Sequence, residues 1–202
     1  MRKAILAALL GILLGNALYA QYDLSLWSRR IEGKGYLVPW YMYTGKGICL
    51  DLRYNFDAEG SLGAFVGKSF GDEKLLLVPE FGLITGKYRA VSPEFLVIAS
   101  TKRFQVFAQN QVALGMRGGE MINHDFVYNW VDWVFNVKEW LALGTGEQVF
   151  KEFSPGSRTR VDLGPSAKFS IDKMYIRLWP MVSLGPAARG HKAFLMGIGY
   201  VF

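Results

Sequence analysis

Few side chains in this 202-residue chain could do covalent chemistry. His124 is followed directly by Asp125, and a histidine beside a carboxylate could act as a general base. The nucleophile it would need is missing. Neither His124 nor His191 begins a His-x-Ser, and no Asp-x-Asp occurs. Ser154 and Ser157 belong to a Ser-Pro-Gly-Ser turn, where serine needs no catalytic reason. Cys49 is the only cysteine, so no internal disulfide can form and no Cys/His set for structural zinc exists. Gly60 and Gly118-Gly119 read as turn residues, not phosphate cradles. No enzymatic activity, cofactor or metal is expected, and a hydrolase centred on His124 is the weakest alternative.

The remaining charged and polar side chains share one pattern, a period of two. In Ile48–Phe56, the residues Ile48, Leu50, Leu52, Tyr54 and Phe56 fall on one face, and Cys49, Asp51, Arg53 and Asn55 on the other. Thr159–Phe169 and Met174–Leu184 alternate in the same way. Such alternation marks strands with two unlike faces. Twelve strands are expected, near 22–30, 35–43, 48–56, 61–70, 75–84, 88–99, 103–116, 126–137, 140–150, 159–170, 174–184 and 193–202. Gly33, Gly35 and Pro39 disturb the first two, which leaves ten strands as the alternative. At about ten residues, each is long enough to cross a bilayer at a tilt. The longest connections, 117–125, 151–158 and 185–192, alternate with short turns.

Residues 1–20 stand apart. Arg2 and Lys3 precede an apolar run, Ala4–Leu14, that is short for a membrane span, and Ala17-Leu18-Tyr19-Ala20 offers a cleavage site. This reads as a secretory signal peptide, with 21–202 as one mature domain. The chain has 23 Lys and Arg against 17 Asp and Glu, a net +6, and losing Arg2 and Lys3 leaves +4. That excess gives no reason to expect nucleic acid as a partner. Half the chain is apolar and 15% is aromatic, which excludes disorder.

The last segment carries the most specific pattern. Phe194, Met196, Ile198, Tyr200 and Phe202 share one face, opposite Ala193, Leu195, Gly197, Gly199 and Val201. A face of five large apolar side chains needs either a covering layer or lipid. The ending Gly-Ile-Gly-Tyr-Val-Phe resembles the C-terminal signal of small bacterial outer-membrane β-barrels. The resemblance implies recognition of Ile198, Tyr200 and Phe202 by the barrel-assembly machinery. It also implies an outer-membrane location in a Gram-negative bacterium, with lipid around it. Basic residues in turns and strand ends, among them Arg117, Lys151, Arg158, Arg189 and Lys192, could contact lipopolysaccharide phosphates where they are external. No characterised subfamily is identified.

The expected fold is therefore an all-β, antiparallel, up-and-down transmembrane barrel, with a soluble periplasmic barrel or sandwich as the competitor. If apolar faces meet lipid, the lumen holds Asp51, Glu80, Glu94, Asp132 and Asp162 against Arg53, Arg103, Arg160, Lys168 and Arg177. Gln105, Gln109, Gln111, Asn136, Gln148 and Ser166 lie between them. Five charges of each sign suggest internal pairing and weak charge selectivity. The expected function is a narrow porin-like channel for small polar solutes. The alternative is a structural or adhesion barrel with a plugged lumen, making contacts through its loops.

Overall fold

Alternating sequences satisfy every backbone group in lipid only if their strands close on themselves. The computed structural model shows that closure. It describes residues 20–31, 34–45, 47–72, 74–116, 125–184 and 192–201. The strands are β1 (Ala20–Ile31), β2 (Lys34–Gly45), β3 (Ile48–Tyr54), β4 (Ser61–Lys68), β5 (Phe70–Gly71), β6 (Leu75–Gly86), β7 (Ala90–Ser100), β8 (Phe104–Gly115), β9 (Phe126–Lys138), β10 (Leu141–Glu152), β11 (Arg160–Ile171), β12 (Met174–Ser183) and β13 (Lys192–Val201). Every pairing is antiparallel between chain neighbours, except that β1 also pairs with β13 and closes the barrel. β4 and β5 are one stave broken at Ser69, and both pair with β6. The barrel thus has twelve staves, and the ten-strand alternative is excluded.

The strands disturbed by Gly35 and Pro39 form after all, paired from Ala20↔Gly45 to Ile31↔Lys34. Pro39 faces outward and is exposed. Proline leaves its mark elsewhere. The β7–β8 ladder is interrupted at Ser92-Pro93, and the β11–β12 ladder between Gly164 and Ser166, beside Pro165 and Pro180. Proline has no N–H to donate, so side chains substitute. The Ser92 hydroxyl donates to the Val112 carbonyl at 3.1 Å. The Gly164 carbonyl accepts from the Thr145 hydroxyl at 2.8 Å and from the Trp179 indole at 3.1 Å.

The outer face is apolar and open. Leu37, Val66, Phe81, Leu83, Phe95, Leu143, Ile176 and Ile198 are all exposed there. A water-soluble barrel would not present such a continuous apolar surface; for a barrel in a bilayer it is the solvated face. Trp140 is exposed at one end, in the β9–β10 turn, where an interfacial girdle would stand. The belt is broken by Asn110, Asn129 and Glu147, which share the outward parity of β8, β9 and β10. Asn129 donates to Asn110 at 2.8 Å.

At one end the connections are short: 46–47, 72–74, 101–103, 139–140 and 172–173. Asp172 takes a positive φ of 51° in the two-residue β11–β12 turn, a conformation that aspartate tolerates. In the β5–β6 turn the Asp72 carboxylate accepts from the Lys74 and Leu75 amides at 2.8 and 3.1 Å. Those bonds hold its carboxyl below the usual carboxylate range. The longer connections lie at the other end.

β3 ends sooner than alternation suggests. Asn55 adopts a left-handed φ of 59°, and its amide donates to the Leu37 carbonyl at 3.0 Å. The chain leaves the wall there. Phe56, expected to share the outer face with Tyr54, turns into the lumen and packs on Trp40 and Trp130.

Candidate functional site: the barrel interior

The inward residues build two charged walls with an aromatic layer between them. The layer comes from strands on opposite sides of the barrel. Trp40 on β2 reaches Phe107 on β8 and Trp130 on β9, with ring centroids 6.1 and 5.7 Å apart. Trp130 continues to Trp179 on β12 at 5.6 Å. Trp40, Trp130 and Trp179 are buried. These contacts cross the lumen from β2 to β8 and β9. A twelve-stranded barrel is wider than side chains normally fill, and indole rings supply the needed reach. Trp179 also needs room on the wall itself: a Cβ on Gly146 would stand 2.1 Å from its ring.

One wall centres on Arg53. Its guanidinium donates to Asp51 at 3.2 Å, to both Glu94 oxygens at 3.2 and 2.6 Å, and to both Asp57 oxygens at 3.3 and 3.4 Å. Its plane also lies over Phe56 and Phe65, 4.6 and 4.0 Å from the ring centroids. Cys49, Gly67, Glu80, Glu94 and Gln111 form one cross-strand row. Gly67 matters in that row: a Cβ there would stand 2.5 Å from Glu80 Cγ, so its absence lets Glu80 lie across toward Cys49. Gln111 donates to Asp57 at 2.7 Å and to Ser92 at 2.9 Å.

The second wall is paired. Arg177 donates to Asp132, which also accepts from Ser166 at 3.5 Å. Arg160 meets Asp162 at 3.1 Å, and Ser183 donates to Asp162. Lys168 donates to Gln105 at 3.3 Å, and the Tyr175 hydroxyl donates to Asp23 at 3.2 Å.

Of the lumen residues expected from sequence, Asp51, Arg53, Glu80, Glu94, Gln105, Gln109, Asp132, Arg160, Asp162, Lys168 and Arg177 have inward parity. Arg103 does not. It is exposed in the β7–β8 turn, because β8 starts at Phe104 rather than 103. Ile198 and Tyr200 face outward on β13, while Phe202 and His124 lie outside the described residues. Sequence reasoning missed Asp57 and Asp23. Asp57 sits in a turn, where period two says nothing, and Asp23 belongs to the strand whose pattern was least clear.

With these included, the described residues depart from the even balance expected from sequence. Among the described residues the interior carries Asp23, Asp51, Asp57, Glu80, Glu94, Asp132 and Asp162 against Arg53, Arg160, Lys168 and Arg177. The excess is acidic and sits on the Arg53 wall.

Comparison with solved structures agrees with this architecture. The KdgM porin superposes with a TM-score of 0.60 at 8% identity, over 89% of this chain and 99% of that one. The NanC porin gives 0.62 at 7%, over 89% and 98%. The chain has the fold of a bacterial outer-membrane barrel. The COG4313 outer membrane channel from Pseudomonas putida F1 gives 0.57 at 9%, over 91% and 95%. At such identities the likeness concerns the fold alone. No family model matches the sequence, and no curated protein is significantly similar to it.

Proposed function

We propose that this chain is a porin-like protein of a Gram-negative outer membrane, exported by a cleaved signal peptide. Its narrow polar pathway is closed in the present conformation by the aromatic layer. The observation that carries this reading is the contact of Trp40 with Phe107 and Trp130 across the barrel. Charged and amide side chains line the wall on either side, so small polar solutes could pass only when the rings move aside. The acidic excess of the lumen replaces weak selectivity with a preference for cations.

Single-channel recording of the refolded protein tests this. Wild type is expected to give rare, small openings. Trp40→Ala with Trp130→Ala is expected to give frequent, larger, cation-preferring ones. No conductance from the double variant, folded by its heat-dependent gel shift, would instead support the plugged structural barrel that works through its loops. The same contact across the lumen favours that second reading if the layer never opens. Assembly is the companion proposal. The outward Tyr200 and the terminal Phe202 engage the assembly machinery, and deleting Phe202 should lower the folded amount in outer membranes. Lipid is the solvent of the outer face, and lipopolysaccharide phosphates are the proposed contacts of the basic loop residues. Unchanged binding of lipopolysaccharide after loop lysines are neutralised would remove that contact.

A further inference from the structure

We infer that the Arg53 wall is a calcium site. Arg53 has five N–H donors, and all are used, on Asp51, Asp57 and Glu94. None is left for Glu80. Apart from a weak contact of Glu80 with the Cys49 thiol, neither oxygen of Glu80, nor Asp51 Oδ1, has a hydrogen-bond partner among the described residues, and these atoms are buried. The neighbour of Glu80 is the Cys49 thiol, which brings no positive charge. One guanidinium thus faces four carboxylates. A buried carboxylate without a counter-charge costs several kcal/mol or more, so the wall lacks positive charge.

A second, independent observation points to a ligand there. Gln109, fully buried on β8, turns its amide to the Glu94 carboxylate, and its Oε1 has no hydrogen-bond partner among the described residues. A buried amide oxygen left open is uncommon unless something else takes it. Carboxylate oxygens of Asp51, Glu80 and Glu94 lie within 4.8 Å of one another. A buried set of protein oxygens suits Ca²⁺, which accepts six to eight of them in flexible geometry, over Mg²⁺, which gives up its waters reluctantly. An all-oxygen set selects a hard cation over zinc or copper. Calcium would take Asp51 Oδ1, the Glu80 carboxylate and one Glu94 oxygen, with Gln109 Oε1 as the neutral ligand and Arg53 holding the remaining oxygens. This revises the sequence expectation that no metal is bound. It is independent of conduction, since a barrel that never opens can still bind the ion.

The test is calorimetric titration of the refolded full chain, stripped with EDTA, alongside the heat-dependent gel shift. Wild type should bind one calcium per chain and keep its folded form to a higher temperature when calcium is present. Glu80→Gln should weaken binding about tenfold or more. It should still fold, because it removes charge from an over-acidic pocket. Gln109→Leu keeps every carboxylate and should also weaken binding. Three results would overturn the inference: no saturable uptake by folded wild type at low millimolar calcium, Glu80→Gln binding like wild type, or magnesium binding as tightly as calcium. In the first case a proton, not a cation, neutralises the wall.

Discussion

The two charged walls of this barrel use the same residue types to different ends. On β9, β11 and β12, Asp132 has Arg177 and Asp162 has Arg160. On β3, the turn after it, β6 and β7, Arg53 serves Asp51, Asp57 and Glu94, while Glu80 has no ion pair among the described residues. The second wall gives Asp132 and Asp162 a cation each and acts as internal scaffolding for a wide barrel. The Arg53 wall is held together by one side chain and is short of positive charge. Pairing serves the fold, and the unpaired remainder is where function is to be sought.

The sharpest way to break this contrast is to remove Arg53. Arg53→Met should destabilise the barrel by about 3–5 kcal/mol, since breaking a buried pair leaves its partners uncompensated. Urea unfolding in lipid vesicles measures it. A cost below that of the paired wall would show that the Arg53 wall is not organised by its guanidinium. Next in size is Asp132→Ala, at about 2–3 kcal/mol by the same assay, because Arg177 keeps some access to solvent and loses one charged bond. The two walls also answer a loss of acid oppositely. Glu80→Gln should raise the unfolding midpoint in EDTA, whereas Asp132→Asn should lower it.

A smaller effect is expected where the layer meets the wall. Gly146→Val would drive a side chain into the Trp179 ring and should cost about 1–3 kcal/mol, with Trp179 fluorescence reporting the shift. The smallest concerns the outer face. Glu147→Leu removes an outward carboxylate from the apolar belt and should stabilise by about 1 kcal/mol or less. A destabilisation on dilution into lipid-poor micelles would mean that Glu147 meets a protein neighbour instead.

Much of this was legible in the chain. Alternation placed Asp51 and Arg53 inward and Leu50 and Leu52 outward, because a period of two fixes which face a strand residue takes. The same rule put Trp130 inside and Ile198 and Tyr200 outside. It failed at Phe56, where Asn55 leaves the strand, and at Arg103, where β8 begins one residue late. Both failures lie at strand ends, where a turn breaks the parity.

The sequence by itself determined the outward belt and the inward polar face, since each depends only on local spacing, whereas the pairing of β1 with β2 and β13 decided twelve strands over ten. The tertiary structure alone decided which inward residues meet. Trp40 and Phe107 are far apart in the chain, and their contact depends on barrel closure and on the register of every strand pair between them. The same holds for Arg53 and Glu94, 41 residues apart and joined at 2.6 Å. Period two assigns a face, but the partner across a lumen is set by circumference and stagger, which no single strand encodes.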